Sequence, residues 1–193
     1  MADGFIRWYR ESAATSVFAQ QVELFAEQGI VLPHPVRGVP FVLDVEGEQV
    51  PMEQEELGLL LGHRIADITM TWWFSANTNI IDTFAYEPLG CEIQTLWLDG
   101  LTFEEAARVE AAVTVAATKL PVPTRAVIVD RRGISDPEDW DSLVLYDGDR
   151  VPRIPDVVLT QSHIAQKLAE ASTGLARQEA GAGLWQLAWP RTE

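Results

Sequence analysis

The clearest pattern in the chain is an alternation of side chains with a period of two residues between positions 67 and 74. The members that point to one side are Ile68, Met70, Trp72 and Phe74. This period predicts a β-strand with one buried face. Segments 80–86 and 91–98 are rich in β-branched and aromatic residues and predict two more strands. Because short turns join all three segments, we expect an antiparallel meander.

The first part of the chain has a different periodicity. Apolar residues from Phe5 to Phe25 recur at spacings of three and four, which predicts one amphipathic helix or two short helices separated near residues 12–16. Three prolines between Ile30 and Pro40 then predict an extended connector. We therefore expect one domain over residues 1–193, with an N-terminal appendage of residues 1–40 as the alternative.

Three later segments, 53–61, 103–119 and 162–172, have helical periodicity. Before the second of them, Thr102 and Glu105 have the spacing of a capping box. In that motif the hydroxyl and the carboxylate each bind a free backbone amide at the start of the helix. The sequence thus places the beginning of this helix directly after Thr102.

Further strands are predicted at 41–45, 124–130, 143–146 and 185–189. Within the second of these, four consecutive apolar residues favour burial on both faces. We expect it to be a central strand of the sheet.

Strands occur in groups in this order and do not alternate one by one with helices. The predicted class is α+β, with a largely antiparallel sheet made of the three-stranded meander and two or more further strands, and with helices packed on one face. In element order, the segment from Glu53 to Ser172 resembles the secretion-chaperone-like α+β fold. That resemblance implies a five-stranded sheet with its helices on one face.

Charge limits the classes of partner. Fourteen basic and 29 acidic side chains give a formal net charge of -15, which disfavours nucleic acid as a partner. No apolar run reaches the roughly 20 residues of a membrane-spanning helix. The N-terminal residues do not have the pattern of a signal peptide, so we expect a cytoplasmic protein.

Local motifs for catalysis and metal binding do not occur in the sequence. The histidines are not at metal-ligand spacing, and no phosphate-binding glycine loop or nucleophile turn is found. The single cysteine, Cys91, is expected to be a buried and inert thiol. We therefore predict no catalytic residue, no metal and no cofactor.

Tryptophans are the first group of candidate binding residues. Trp72 and Trp73 are neighbours in a strand, so their side chains must point to opposite faces, and Trp97 belongs to the third strand of the meander. Trp73 is therefore expected either to be covered by the N-terminal helix or the C-terminal strand, or to form an exposed interface for a partner or ligand.

Charged residues form the second group. Asp139 and Asp141 lie in an acidic loop, and a second acidic group extends from Asp44 to Glu56. The first acidic group is interpreted as solvated carboxylates, with a calcium or magnesium site as the alternative. Together the two groups could form a negative surface that attracts a basic partner. Arg131 and Arg132 follow the predicted central strand, where they either bind an anion or partner or neutralise nearby carboxylates.

Three hypotheses follow. The first is a non-catalytic acidic protein-binding module, immunity/inhibitor-like or chaperone-like, that holds a basic protein partner. The second is a small-molecule-binding protein or enzyme with an aromatic-lined pocket, built from Trp72 or Trp73, Phe84, Tyr86 and Trp97. The third is self-association as a homodimer through a free sheet edge or an uncovered tryptophan.

Overall fold

A computed structural model describes residues 3–11, 15–64, 66–87 and 90–190, with only the backbone for residues 15 and 16. The first half contains β1 (Phe5–Glu11), α1 (Thr15–Glu27), β2 (Phe41–Leu43), β3 (Gln49–Pro51), α2 (Gln54–His63), β4 (Ile68–Ser75), β5 (Thr78–Glu87) and β6 (Cys91–Trp97). The second half contains α3 (Phe103–Lys119), β7 (Thr124–Asp130), a 3₁₀ helix (Pro137–Trp140), α4 (Asp141–Tyr146), β8 (Val157–Gln161), α5 (Ser162–Ala171), β9 (Ala176–Gly181) and β10 (Leu184–Ala188).

The strands form one ten-stranded sheet in the order β3-β2-β4-β5-β6-β1-β7-β8-β10-β9. The pairs between neighbouring strands are antiparallel. The predicted α+β class is confirmed, and so is the β4-β5-β6 meander. The predicted central strand is β7, which pairs with β1 on one side and β8 on the other.

The N-terminal residues differ from the sequence prediction. Residues 5–11 form a strand, not a helix, and this strand lies in the middle of the sheet between β6 and β7. Its side chains alternate, so that Trp8 and Arg10 face one side and Phe5 and Tyr9 face the other. Hydrogen bonds to two neighbouring strands override the helix-like spacing. This part of the predicted appendage is therefore integral to the sheet, while residues 12–14 of the predicted helix break lie outside the described residues.

Helices cover both faces of the sheet. On the first face, α1, α2 and α3 pack on a core that includes Trp8, Trp72 and Val127. On the second face, α4 and α5 cover a smaller core that includes Tyr9 and Val158. Helices α1, α2 and α3 pack on one face, as the sequence predicts. Helices α4 and α5 form a second layer on the opposite face, which the element order does not predict.

Residues 143–146 are helical, which corrects the predicted strand there. Leu143, Val144 and Leu145 are all buried. A short continuous apolar run is compatible with a buried strand or a buried helix, so its periodicity does not distinguish the two. Local hydrogen bonds favour the helix over the strand. The Asp136 carboxylate accepts from the amide of Glu138 and begins the preceding 3₁₀ helix.

The capping box of α3 is confirmed. The amide of Glu105 donates to the Thr102 hydroxyl at 3.2 Å, and the amide of Thr102 donates to the Glu105 carboxylate at 2.8 Å. Small residues such as Ala106 and Ala112 on the inner side of α3 are fully buried. The helix therefore seats closely on the sheet near β7.

Candidate functional site

Part of the second sheet face is not covered by helices. The core under α4 and α5 draws on β1, β6, β7, β8 and β10. Beyond that core, β4, β5 and β6 present a surface that we call the open sheet face. It consists of Thr69, Ile81, Thr83 and Trp97, with Ala85 at its border with that core.

The largest apolar side chains of the open sheet face are Ile81 and Trp97. Ile81 is 40% exposed and Trp97 is 37% exposed, and the two are direct partners across the β5–β6 pair. Trp97 contacts Phe5 edge to face, with ring centroids 6.3 Å apart. The Trp97 ring is therefore held on one side and accessible on the other, as in a typical interface anchor.

An acidic cleft of about 670 Å³ adjoins Trp97. Its lining includes four carboxylates, which belong to Asp3, Asp136, Glu138 and Asp139. Two arginines, Arg7 and Arg153, also border it. Because carboxylates outnumber guanidinium groups, the cleft has a negative local charge next to an accessible aromatic ring.

Asp141 holds α4 in place at the edge of this cleft. Its carboxylate accepts two hydrogen bonds from Arg7, at 2.8 and 3.0 Å, and one from the Tyr9 hydroxyl at 2.6 Å. Arg7 also donates to the Tyr9 hydroxyl and to Thr95. Burial raises the pKa of Tyr9 far above its ordinary value, so this hydroxyl stays protonated as a donor. Asp141 is thus committed to internal bonds, whereas Asp139 is exposed.

A second negative region lies at the β2–β3 edge of the sheet, and we call it the acidic hairpin surface. It comprises the exposed residues Asp44, Glu46, Glu48, Glu53, Glu55 and Glu56. Within the described part of the chain, no ion pair joins any of these six to a basic side chain. The Asp44 carboxylate shapes the turn by accepting from the amides of Glu46 and Glu48. The exposed side chain of Val45 adds an apolar group at the same turn.

The two adjacent tryptophans face opposite sides, as strand geometry requires, and both are buried. Trp72 lies in the first core, where its ring is 4.7 Å from that of Phe25 and its indole N–H donates to Asp82. Trp73 lies on the second face and is 5% exposed. The proline-rich connector covers it, through a bridge to Val31 and a ring contact with His34 at 4.4 Å. The covering element is thus neither the N-terminal helix nor the C-terminal strand.

His34 holds the connector in the conformation that covers Trp73. Its Nδ1 atom accepts from the amides of Val36 and Arg37, at 3.1 and 3.2 Å. We expect His34→Ala to release this turn and to increase quenching of tryptophan fluorescence by acrylamide. The increase should disappear in a Trp73→Phe background, and the matched variant His163→Ala should show none. Equal quenching of His34→Ala and the unmodified protein would show that the connector does not depend on His34.

Arg131 and Arg132 lie away from the open sheet face, at the end of β7 on the α3 side. Arg131 donates to Glu110 through Nε at 3.0 Å and through Nη2 at 2.5 Å. Arg132 contacts the Asp156 carboxylate through Nε at 3.2 Å. The predicted arginine pair therefore neutralises nearby carboxylates, and the structure does not bring it together with Trp97 or Asp139.

Residues of the proposed aromatic pocket are also separated. Trp72 and Phe84 pack against α1 in the first core. The Tyr86 hydroxyl donates to the carbonyl of Leu61, and Trp97 lies on the other face of the sheet. These side chains do not line one common cavity.

A buried polar chain under α1 escaped the sequence analysis. It runs through Arg10, Glu92, Gln21, Gln94, Asp82 and Trp72. Gln21 ties the helix to the sheet, because it accepts from Arg10 at 2.7 Å and donates to Gln94 at 3.0 Å. The sequence feature that could have indicated this chain is the pair of polar residues, Glu92 and Gln94, on the side of β6 that faces the first core.

Asp82 lies at the end of this chain. Its Oδ2 atom accepts from Trp72 at 2.7 Å and from Gln94 at 2.6 Å. Its Oδ1 atom is buried without a hydrogen-bond partner among the described residues. Burial raises the pKa of Asp82 to about 7, because removal of water disfavours the charged form.

In the parts of the chain that the structure covers, no cluster of three or more histidine, cysteine or acidic residues could hold a metal ion. Over the same residues, none of the helices combines the length and apolar character that a bilayer crossing requires. Comparison with known proteins finds no matching family model, no matching curated protein and no matching solved structure.

Proposed function

We propose that the protein is a non-catalytic binding module, immunity/inhibitor-like or chaperone-like, that holds a basic protein through its open sheet face. The observation that carries the proposal is the exposed ring of Trp97 beside the carboxylates of the acidic cleft. An aromatic face next to negative charge suits a lysine or arginine side chain, which gains from both groups.

The remaining features of this surface support the same kind of partner. Ile81 provides an apolar contact beside Trp97, and half-buried Thr69 and Thr83 continue the surface along β4 and β5. The acidic hairpin surface adds uncompensated negative charge at one edge of the sheet. Such charge attracts a basic partner over distance and speeds association, with a rate that falls as salt rises.

The test compares binding of a basic partner to two variants with equal charge. Partners are captured at low salt, and their affinity for Glu138→Gln/Asp139→Asn is compared with that for Glu23→Gln/Glu27→Gln on the outer side of α1. All four residues are exposed. We expect the first variant to bind at least about tenfold more weakly, because interface charges beside an anchor contribute more than remote ones. The second variant should bind as the unmodified protein does.

A Trp97→Leu variant tests the aromatic contact separately. We expect it to weaken binding by about tenfold or more, since truncating an aromatic hot-spot residue typically costs about 2 kcal/mol or more. If the two charge variants lost affinity equally, net charge alone would explain the loss, and the position of the carboxylates beside Trp97 would not matter. A partner that binds Trp97→Leu as tightly as the unmodified protein, or recovery of the protein only as a homodimer, would contradict the proposal.

A further inference from the structure

An arginine pocket opens at the end of β7, on the α3 side of the sheet. It has a volume of about 860 Å³, within the range of small-molecule sites. Three arginines line it: Arg131, Arg132 and Arg153. The whole protein has 14 basic residues and a net charge of -15, so three in one pocket are a marked local concentration.

Two carboxylates fix the first two arginines. Glu110 binds the Arg131 side chain, and Asp156 accepts from the Arg131 amide at 2.8 Å while its other oxygen contacts Arg132 at 3.2 Å. Asp156 is mostly buried, and the Arg131 side chain is about one-third exposed. These contacts orient the guanidinium groups before any ligand arrives, which lowers the entropy cost of binding.

Unused donors remain after these pairs are counted. Within the described residues, the terminal nitrogens of Arg132 donate no hydrogen bond, and no nitrogen of the Arg153 side chain makes a hydrogen bond or ion pair. Three guanidinium groups face two carboxylates, so the pocket has one uncompensated positive charge. Guanidinium groups with free N–H donors match the geometry of carboxylate and phosphate oxygens.

Trp189 supplies an aromatic wall to the same pocket. It is 42% exposed, and its indole N–H donates to the carbonyl of Ile154 at 3.3 Å. That hydrogen bond restrains the ring, which can therefore stack with a planar group without much loss of side-chain freedom.

We infer that the arginine pocket binds a small molecule in which an oxyanion, a carboxylate or phosphate, is attached to a planar ring. Arg132 and Arg153 donate to the oxyanion, and the ring stacks on Trp189. Arg131, Glu110 and Asp156 act as positioning groups. The arginine pocket adjoins the acidic cleft, because Arg153 borders both, but its other walls come from α3, β8, β10 and the segments beside them.

Calorimetric titration with phenyl phosphate, benzoate and inorganic phosphate tests this inference. We expect one-to-one saturable binding of phenyl phosphate or benzoate, and the tighter of the two identifies the preferred oxyanion. Inorganic phosphate should bind at least about tenfold more weakly, because it has no ring to stack. Arg153→Gln and Trp189→Leu should each weaken binding of the preferred probe by about tenfold or more.

Arg37→Gln is the matched control, since Arg37 is an exposed arginine of the connector and the variant loses the same charge. It should bind the preferred probe as the unmodified protein does. Equal weakening in Arg37→Gln and Arg153→Gln would overturn the inference in favour of a general charge effect. Inorganic phosphate as tight as phenyl phosphate, or no saturation with either ring compound, would also overturn it.

Discussion

Replacement of Arg10 by methionine is expected to lower the free energy of unfolding by about 3–5 kcal/mol, because it leaves a buried carboxylate without its partner. Arg10 is 1% exposed and its Nε donates to Glu92 at 2.6 Å. The guanidinium also lies over the ring of Trp8, at 4.4 Å from the centroid, so both charge and packing are lost. Chemical denaturation at neutral pH measures the change.

Two further variants test whether the loss of stability is specific to the Arg10–Glu92 pair. The double variant Arg10→Met/Glu92→Leu removes both charges and should recover much of the lost stability, since a buried ion pair contributes little relative to apolar residues. Arg150→Met removes an exposed arginine and should change stability by less than about 0.5 kcal/mol. An Arg10→Met protein within about 1 kcal/mol of the unmodified one would show that the pair is not needed for stability.

The free energy of unfolding should also depend on pH, because of Asp82. Asp82 has a pKa of about 7 in the folded protein against an ordinary value of 3.8. Between these values the folded state binds the proton more tightly than the unfolded state, so stability from this group is present at low pH and is lost as pH rises toward 7. The difference corresponds to a loss of up to about 4 kcal/mol. We expect the free energy of unfolding, relative to that of Asp82→Asn, to fall between about pH 4 and pH 7.

Asp99→Asn serves as the comparison for this titration, because Asp99 is exposed. Its stability difference from the unmodified protein should be nearly independent of pH over the same interval. A difference between the unmodified protein and Asp82→Asn that stays constant, or that rises with pH, would show that the pKa of Asp82 is not raised in the folded protein.

Local patterns predicted the parts of the fold whose sequence signal is strong. Alternation identified the meander, continuous apolar residues identified β7, and the Thr102–Glu105 spacing located the start of α3. Residues 5–11 were misassigned because Phe5 and Tyr9 satisfy both a helical spacing and a period of two. Only the pairing with β6 and β7 decides between these alternatives, and that pairing is not local.

The sequence also did not predict β8 or the two edge strands. β3 and β9 are almost entirely exposed, so neither has the apolar alternation by which half-buried strands are recognised. The short helix α4 was missed for the opposite reason, because its three consecutive buried residues hide any periodicity.

The candidate surface was predictable in part. Strand geometry places Trp72 and Trp73 on opposite faces, but only the structure shows that the connector covers Trp73 and leaves Trp97 accessible. The exposure of Ile81 depends on its register with Trp97 across two strands. The buried polar chain joins residues up to 82 positions apart in one hydrogen bond, so no local motif reveals it.

Site-directed photocrosslinking in the native host tests most directly whether a basic protein occupies the open sheet face, as we propose. A photoreactive phenylalanine derivative is placed at Ile81 on this face and, as the control, at Phe103, an exposed residue at the start of α3. We predict a covalent adduct with a basic protein from position 81 and none from position 103. The absence of an adduct at position 81, equal adducts from both positions, or an adduct only with a second copy of this chain would contradict the proposed binding surface.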